Sequence, residues 1–108
     1  MSEKRKIGRV PLDIYLNKYI SGVPHMARTS DISSDGVRLS RLIEPQQGNK
    51  RVGLQFQLPS SDEVIYAEGE IVREWSDARR SESIRFTLLA ERHRRLIDAY
   101  VTSHGTGH

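Results

Sequence analysis

Hydrophobic and polar residues alternate along most of the chain before residue 90, which is the pattern of strands with one buried face. The clearest case is Val52, Leu54, Phe56 and Leu58, whose intervening residues are polar or glycine. A similar alternation predicts a first strand over 10–17, with Pro11 near its start, where a missing N–H is tolerated. Further strands are predicted over 25–29, 37–40, 64–75 and 84–88, with turns or polar loops at 21–24, 31–36, 44–50, 59–62 and 76–83.

After residue 90 the hydrophobic spacing changes to that of a helix. The recurring positions are Leu89, His93, Leu96, Ile97 and Tyr100. They predict a helix over 90–103, followed by a frayed tail at 104–108. Six short strands followed by one amphipathic helix predict a mainly β fold, a small six-stranded antiparallel barrel with a C-terminal α-helix. Gly69, inside the long strand over 64–75, indicates a bulge or a sharp coil.

Length and composition indicate one globular domain. The chain has 108 residues, 36% of them hydrophobic and 29% charged, in the range of folded proteins. It has no cysteine, which excludes disulfides and thiolate metal sites. No apolar run is long enough to cross a membrane and no signal peptide is visible, so we expect a cytoplasmic location without membrane insertion.

The excess positive charge lies in a basic arm at residues 1–9. The net charge of the chain is +3, and the arm accounts for all of it, because it has four basic side chains and one acidic side chain, Glu3. The body at 10–89 and the helix at 90–103 are together neutral. Such an arm suits a phosphate, a nucleic acid or an acidic surface, and it is equally compatible with a solvated tail.

Residues 31–36 combine a carboxylate, a hydroxyl and a glycine at the end of a predicted strand. Asp31 and Ser33 are two apart, so on an extended backbone their side chains leave the same face. Gly36 allows either a positive φ or a close approach to the backbone. Alone, these residue types are typical of any turn. The four histidines are scattered, and neither a metal-ligand cluster nor a catalytic set appears, so we expect no enzymatic activity.

Together, Arg5-x-x-x-Arg9 and Asp31-x-Ser33-x-x-Gly36 resemble the signature of the PilZ family of bacterial cyclic di-GMP receptors. The strand end at 72–75, the Ile-Arg-Phe strand at 84–86 and the closing helix agree with that family. The resemblance implies a six-stranded barrel with Greek-key character and a helix packed against it. It also implies cyclic di-GMP as ligand and an unidentified protein effector as partner.

The resemblance assigns roles that the residue types can fill. The two motif arginines would meet guanine O6 and N7 and the phosphates, and Asp31 would accept from guanine N1–H and N2. Ser33 adds a hydroxyl, and Gly36 lets the hairpin close tightly. Lys4 stands where the family residue influences whether one ligand or a stacked pair binds, and Trp75 either stacks on guanine or caps the core. The predicted ligand-binding residues are therefore Lys4, Arg5, Arg9, Asp31, Ser33, Gly36 and Trp75.

The predicted function is a cyclic di-GMP receptor that changes its arm and surface on binding and so signals to the protein partner. Two positions depart from the family pattern: Asp35 adds a carboxylate near an anionic ligand, and Ser83 replaces a frequent glycine. One alternative is a PilZ-like adaptor that binds only protein. A small nucleic-acid-binding barrel is the other, disfavoured because aromatic residues are only 6% of the chain.

Overall fold

The structure is a computed structural model that describes residues 8–42, 50–75 and 80–105. Its elements are seven strands and one helix. The strands are β1 (Val10–Pro11), β2 (Tyr15–Ile20), β3 (Val23–Ile32), β4 (Gly36–Arg41), β5 (Arg51–Phe56), β6 (Ile65–Glu74) and β7 (Ser81–Leu89), and the helix is α1 (Glu91–His104). The helix begins and ends within one residue of its predicted bounds. No helix in these described ranges is both long and apolar enough to cross a membrane.

Six of the strands close into an antiparallel barrel. Their order is β3-β2-β5-β6-β7-β4, and β4 pairs again with β3 to complete the circle, while β1 lies along β3 as an extra strand. β2, β3 and β4 follow one another as neighbours, and β5 then returns to lie beside β2. That arrangement is a Greek key. The predicted fold, a six-stranded antiparallel barrel with Greek-key character and a C-terminal helix, is confirmed.

The first predicted strand is wrong as a single element, because the chain breaks between β1 and β2. Both short strands pair with β3, and Thr29 of β3 fills the gap between them. The Thr29 hydroxyl donates to the Leu12 carbonyl and accepts from the Ile14 N–H at 3.0 Å. The Thr29 side chain thus satisfies two backbone groups that a continuous strand pairing would otherwise satisfy.

The β2–β3 connection is a two-residue turn, shorter than predicted. Ser21 and Gly22 have φ values of 50° and 82°, as in the type I′ turns that match strand twist. β3 therefore begins at Val23 rather than at residue 25. Pro24 is accommodated there because β3 pairs only with β2 at this point, its pairing with β4 starting at Ala27.

β7 begins earlier than predicted because Glu82 faces the barrel interior. Residues 81–83 were expected to belong to a charged loop, but they form the start of the strand. Glu82 and Lys18 are almost completely buried, at 1% and 0% exposure, and their side chains pair at 2.7 Å. Arg41 approaches the second Glu82 oxygen at 3.8 Å. Burying these charges is tolerated because they are paired.

The hydrophobic core fills the barrel and continues under the helix. Leu54, Ile65 and Ala67 are fully buried, and Ile97 of α1 is buried against the same cluster. β6 and β7 shift register between residues 68 and 69, at the glycine for which a bulge or a sharp coil was predicted, but the extra residue lies in β7 opposite it.

The end of α1 contacts the segment that contains β1. The Tyr100 hydroxyl donates to the Pro11 carbonyl at 3.3 Å. Gly105, which follows the helix, lies so close to Val10 that a Cβ at residue 105 would be 2.9 Å from the Val10 Cγ1. The helix therefore holds β1, and with it the chain that follows Arg9, against the barrel.

Candidate ligand-binding site

The hairpin between β3 and β4 is held by Ser33. Its N–H donates to the Gly36 carbonyl at 2.8 Å, and its hydroxyl accepts from the Asp35 N–H at 3.2 Å. Ser33 is buried, at 8% exposure. Local bonds of this kind are why serine favours turns. The hydroxyl predicted to sit beside a ligand thus also shapes the turn.

Gly36 allows the hairpin to pack directly on β7. A Cβ at this position would lie 2.2 Å from the Ile84 carbonyl oxygen, too close for any other residue. On the same strand the Phe86 N–H donates to the Asp35 carbonyl at 2.8 Å. The Asp35 side chain is exposed. Gly36 therefore permits a close approach of two strands, rather than a positive φ.

Asp31 points outward because the β3–β4 ladder shifts register just before it. Thr29 is buried, and without a shift between residues 29 and 31 regular alternation would turn Asp31 inward as well. With the shift, Asp31 lies opposite Arg38 of β4. The Arg38 Nη1 is 3.5 Å from one carboxylate oxygen, and the Arg9 Nε donates to the other. Two guanidinium groups thus flank this one carboxylate.

Trp75 directly follows β6, and its ring contacts the guanidinium groups of Arg38 and Arg73. The guanidinium carbons of Arg38 and Arg73 lie 5.3 Å and 4.7 Å from the centre of its ring, within the range of cation–π attraction. Its backbone is held by Ser81, whose carbonyl accepts from the Trp75 N–H at 2.8 Å. Arg41 Nη2 donates to the Trp75 carbonyl at 3.4 Å. The ring is half-buried rather than part of the core.

The structure brings Arg9, Asp31 and Trp75 into one continuous cluster through Arg38. Ser33 and Gly36 form the adjoining hairpin. Lys4 and Arg5 lie outside the described residues. We call the set of Arg9, Asp31, Arg38, Arg73 and Trp75 the arginine–tryptophan cluster.

Arg38 and Arg73 were missed by the sequence predictions. The available signal was spacing: Arg38 is two residues beyond the motif glycine, and a tight hairpin places that residue near the motif aspartate. Among the described residues the Arg38 Nε is buried without a hydrogen-bond partner. A buried donor without a partner is costly, so a rearrangement of the Arg38 side chain that gives this nitrogen an acceptor is favourable.

The cluster is chemically suited to a planar, anionic ligand. The cluster holds three guanidinium groups and one carboxylate, so an excess of positive charge lies next to an aromatic ring. Guanidinium groups bind phosphates and guanine edges bidentately, and an indole ring offers a stacking surface. The Asp31 carboxylate adds the acceptor that distinguishes one base edge from another.

Comparison with known families decides the identity of the fold. The sequence matches the PilZ domain family over residues 3–103, which is nearly the whole chain. The chain belongs to the PilZ domain family. The motif arginines, the Asp-x-Ser-x-x-Gly hairpin and the barrel of this PilZ domain all lie within the matched range. A search of curated protein sequences found no significant match.

Solved structures share the fold at low sequence identity. The Bacillus subtilis inhibitor of motility, MotI/DgrA, superimposes with a TM-score of 0.81 at 14% identity over 96% of this chain. The match covers 52% of the MotI/DgrA chain, so this PilZ domain spans about half the length of that relative. The PilZ domain of YcgR from Escherichia coli, determined with c-di-GMP, has a TM-score of 0.67 at 14% identity, covering 95% of this chain and 92% of its own.

Proposed function

We propose that this PilZ domain is a cyclic di-GMP receptor that passes the signal to a protein partner. The observation that carries the proposal is the arginine–tryptophan cluster beside the Asp-x-Ser-x-x-Gly hairpin. Its charge, aromatic surface and carboxylate match the phosphates, guanine faces and guanine edge of that ligand. The structure of the E. coli YcgR domain with c-di-GMP supports the same ligand class.

In the proposed complex each group of the cluster has one task. Asp31 accepts from guanine N1–H and N2, while Arg9 and Arg38 donate to the phosphates or to guanine O6 and N7. Trp75 stacks on a guanine face, with Arg73 behind its ring. In this complex the Arg9 guanidinium swings from the Asp31 carboxylate to the ligand. Ligand binding therefore exchanges one ion pair for several charge-assisted contacts.

The signal would be carried by the arm at residues 1–9. Arg5 and Arg9 would close on the ligand from one side while Asp31 and Ser33 hold the other. Ordering the arm costs on the order of 1–2 kcal/mol per residue, which the new contacts must exceed. The closed arm would change the surface beside the barrel, and a protein partner would bind that surface. PilZ domains act as receptors or adaptors, so we propose no catalytic step.

Isothermal calorimetry with cyclic di-GMP tests binding and stoichiometry together. We expect cyclic di-GMP to bind the chain saturably. A single-stranded oligonucleotide at the same concentration should not bind. A protein-only adaptor would show no heat with either, and an oligonucleotide-binding barrel would show the reverse preference. Both results would contradict the proposal. The stoichiometry also distinguishes a single ligand from the stacked pair that Lys4 is expected to influence.

Hydrogen exchange on free and bound protein tests the arm. We expect the arm and residues 31–36 to gain protection on binding, while β5 changes little. An arm already protected in the free protein, or still exchanging freely at saturation, would contradict this switch even where calorimetry shows binding.

A further inference from the structure

A shallow groove of about 740 Å³ crosses the outer face of β2, β5, β6 and β7. It shares no residue with the arginine–tryptophan cluster. Its centre is a row of four residues, each directly opposite the next across neighbouring strands: Tyr19, Gly53, Glu68 and Leu88. Residues opposite each other on one face are neighbours, so these four form a continuous strip across the four strands.

Gly53 forms the floor of the groove. A Cβ there would lie 2.6 Å from the Tyr66 hydroxyl and 3.4 Å from the Tyr19 Cβ. The Tyr66 ring therefore leans over the glycine, with Tyr19 on the other side. Tyr66 remains 47% exposed and Leu88, at the end of the row, 62% exposed. Two aromatic rings and an aliphatic side chain thus present apolar area to solvent.

The groove holds two carboxylates and one guanidinium group. Glu68 is exposed and has no ion-pair partner among the residues that the structure describes. Glu70 lies two residues further along and pairs with Arg85 at 2.6 Å. Arg51 also lines the groove but has an interaction of its own. An unpaired carboxylate beside a tyrosine ring is suited to a guanidinium or ammonium group, and it repels phosphates of nucleic acids or lipids.

We propose that this groove docks a segment of a partner protein in which an arginine or lysine side chain is flanked by an aliphatic one. The cation would lie over the Tyr66 ring and pair with Glu68, while the aliphatic side chain packs on Leu88. The inference rests on the proposed function only because an adaptor needs a protein partner. The residues of the groove differ from those proposed to bind the nucleotide, so an experiment can contradict one proposal without contradicting the other.

Two short peptides test this docking on the ¹⁵N-labelled chain. One has the sequence Ala-Leu-Arg-Leu-Ala, and the other carries citrulline, the neutral isostere of arginine, at its centre. In an NMR titration to millimolar concentration, we expect the arginine peptide to cause saturable shifts at Gly53, Glu68 and Leu88. The citrulline peptide should bind about fivefold more weakly, the equivalent of about 1 kcal/mol.

Glu68→Gln should weaken binding of the arginine peptide by a similar factor, with Asp62→Asn, an exposed carboxylate outside the groove, as control. Equal binding of the two peptides, or no saturable shift at these residues, would overturn the proposal. Shifts that depend on protein concentration without peptide would also overturn it, because a second copy of the chain would then cover the groove. Adding cyclic di-GMP to the same samples measures the nucleotide site independently.

Discussion

Arg9 donates from its Nε to the Asp31 carboxylate, across the start of β1 and the end of β3. The residue proposed to recognise guanine is thus already held by a residue proposed to bind the same ligand. Arg38 approaches the other oxygen of that carboxylate at 3.5 Å. Removing either partner of the Arg9–Asp31 pair should affect ligand binding more than folding, because both side chains reach solvent, at 36% and 21% exposure.

Arg9→Ala and Arg5→Ala should each weaken cyclic di-GMP binding tenfold or more, about 1.4 kcal/mol, because each removes a guanidinium proposed to meet the ligand. Calorimetry measures the loss. Arg95→Ala, on the exposed face of α1, is the matched control and should bind normally. Thermal midpoints of all three variants without ligand should stay close to wild type. Wild-type affinity in either variant would show that its arginine is only a surface charge.

Asp31 should determine the choice of base. Its carboxylate accepts from guanine N1–H and N2, whereas adenine N1 is itself an acceptor, so cyclic di-AMP should bind far more weakly. Asp31→Ala should cost roughly 1–3 kcal/mol for cyclic di-GMP. Competition calorimetry with the two dinucleotides measures both effects. Equal affinity for the two would contradict the role proposed for Asp31.

Trp75, the only tryptophan of the chain, provides an optical test of stacking. A guanine stacked on its ring should quench the fluorescence in proportion to occupancy. Trp75→Ala should weaken binding by roughly 1–3 kcal/mol, and Trp75→Phe by less, because phenylalanine keeps an aromatic face. The prediction fails when cyclic di-GMP binds by calorimetry but leaves the emission unchanged and the alanine variant binds normally.

Gly36→Ala should destabilise the fold itself. The added Cβ would meet the Ile84 carbonyl at 2.2 Å, and this contact is with backbone that cannot turn aside. We expect a loss of roughly 1–3 kcal/mol in the free energy of unfolding by urea. Gly8→Ala is the matched control, because nothing lies within 4 Å of a Cβ at that position. Equal midpoints for the two variants would contradict the close approach of β4 and β7.

The buried Lys18–Glu82 pair predicts a non-additive double mutant. Lys18→Met leaves the Glu82 carboxylate buried without its closest cation and should cost about 3–5 kcal/mol. Changing both residues together, Lys18→Met with Glu82→Leu, should recover most of that loss, because neither the buried ammonium nor the buried carboxylate then remains. Arg41, which loses Glu82, is partly exposed. Urea unfolding of both single variants and the double variant completes the cycle. Additive losses would mean that the two side chains do not depend on each other.

The fold was predictable where hydrophobic and polar residues alternate regularly. It differs from the prediction where a polar side chain is buried and bonds to a distant part of the chain. β4 and β5 follow the pattern closely, because apolar residues alternate without interruption. The break before β2 depends on the Thr29 hydroxyl replacing backbone bonds. The early start of β7 depends on a glutamate that points inward towards Lys18. The spacing of hydrophobic residues predicts neither feature, because each depends on a contact with a residue distant in sequence.

The candidate site shows the same limit. Spacing was enough to propose Asp31 and Ser33 on one hairpin, and the family resemblance added Arg9. Arg38 could have been proposed from the tight hairpin, which places it opposite Asp31. The outward direction of Asp31 depends on the register shift just before it, which only the three-dimensional pairing reveals. Arg73 contacts the ring of Trp75, which lies two residues further along the chain. Residues two apart on a regular strand share a face, so this pair could have been proposed from the sequence.

The contact between Gly105 and Val10 has a practical consequence for work with this protein. Whatever is attached after α1, whether an affinity tag or a further domain, starts beside the strand that leads directly from Arg9. Such an attachment can obstruct the arm or, if rigidly joined, report its movement. A fluorophore placed after Gly105 would therefore be close enough to follow the arm without labelling the nucleotide site.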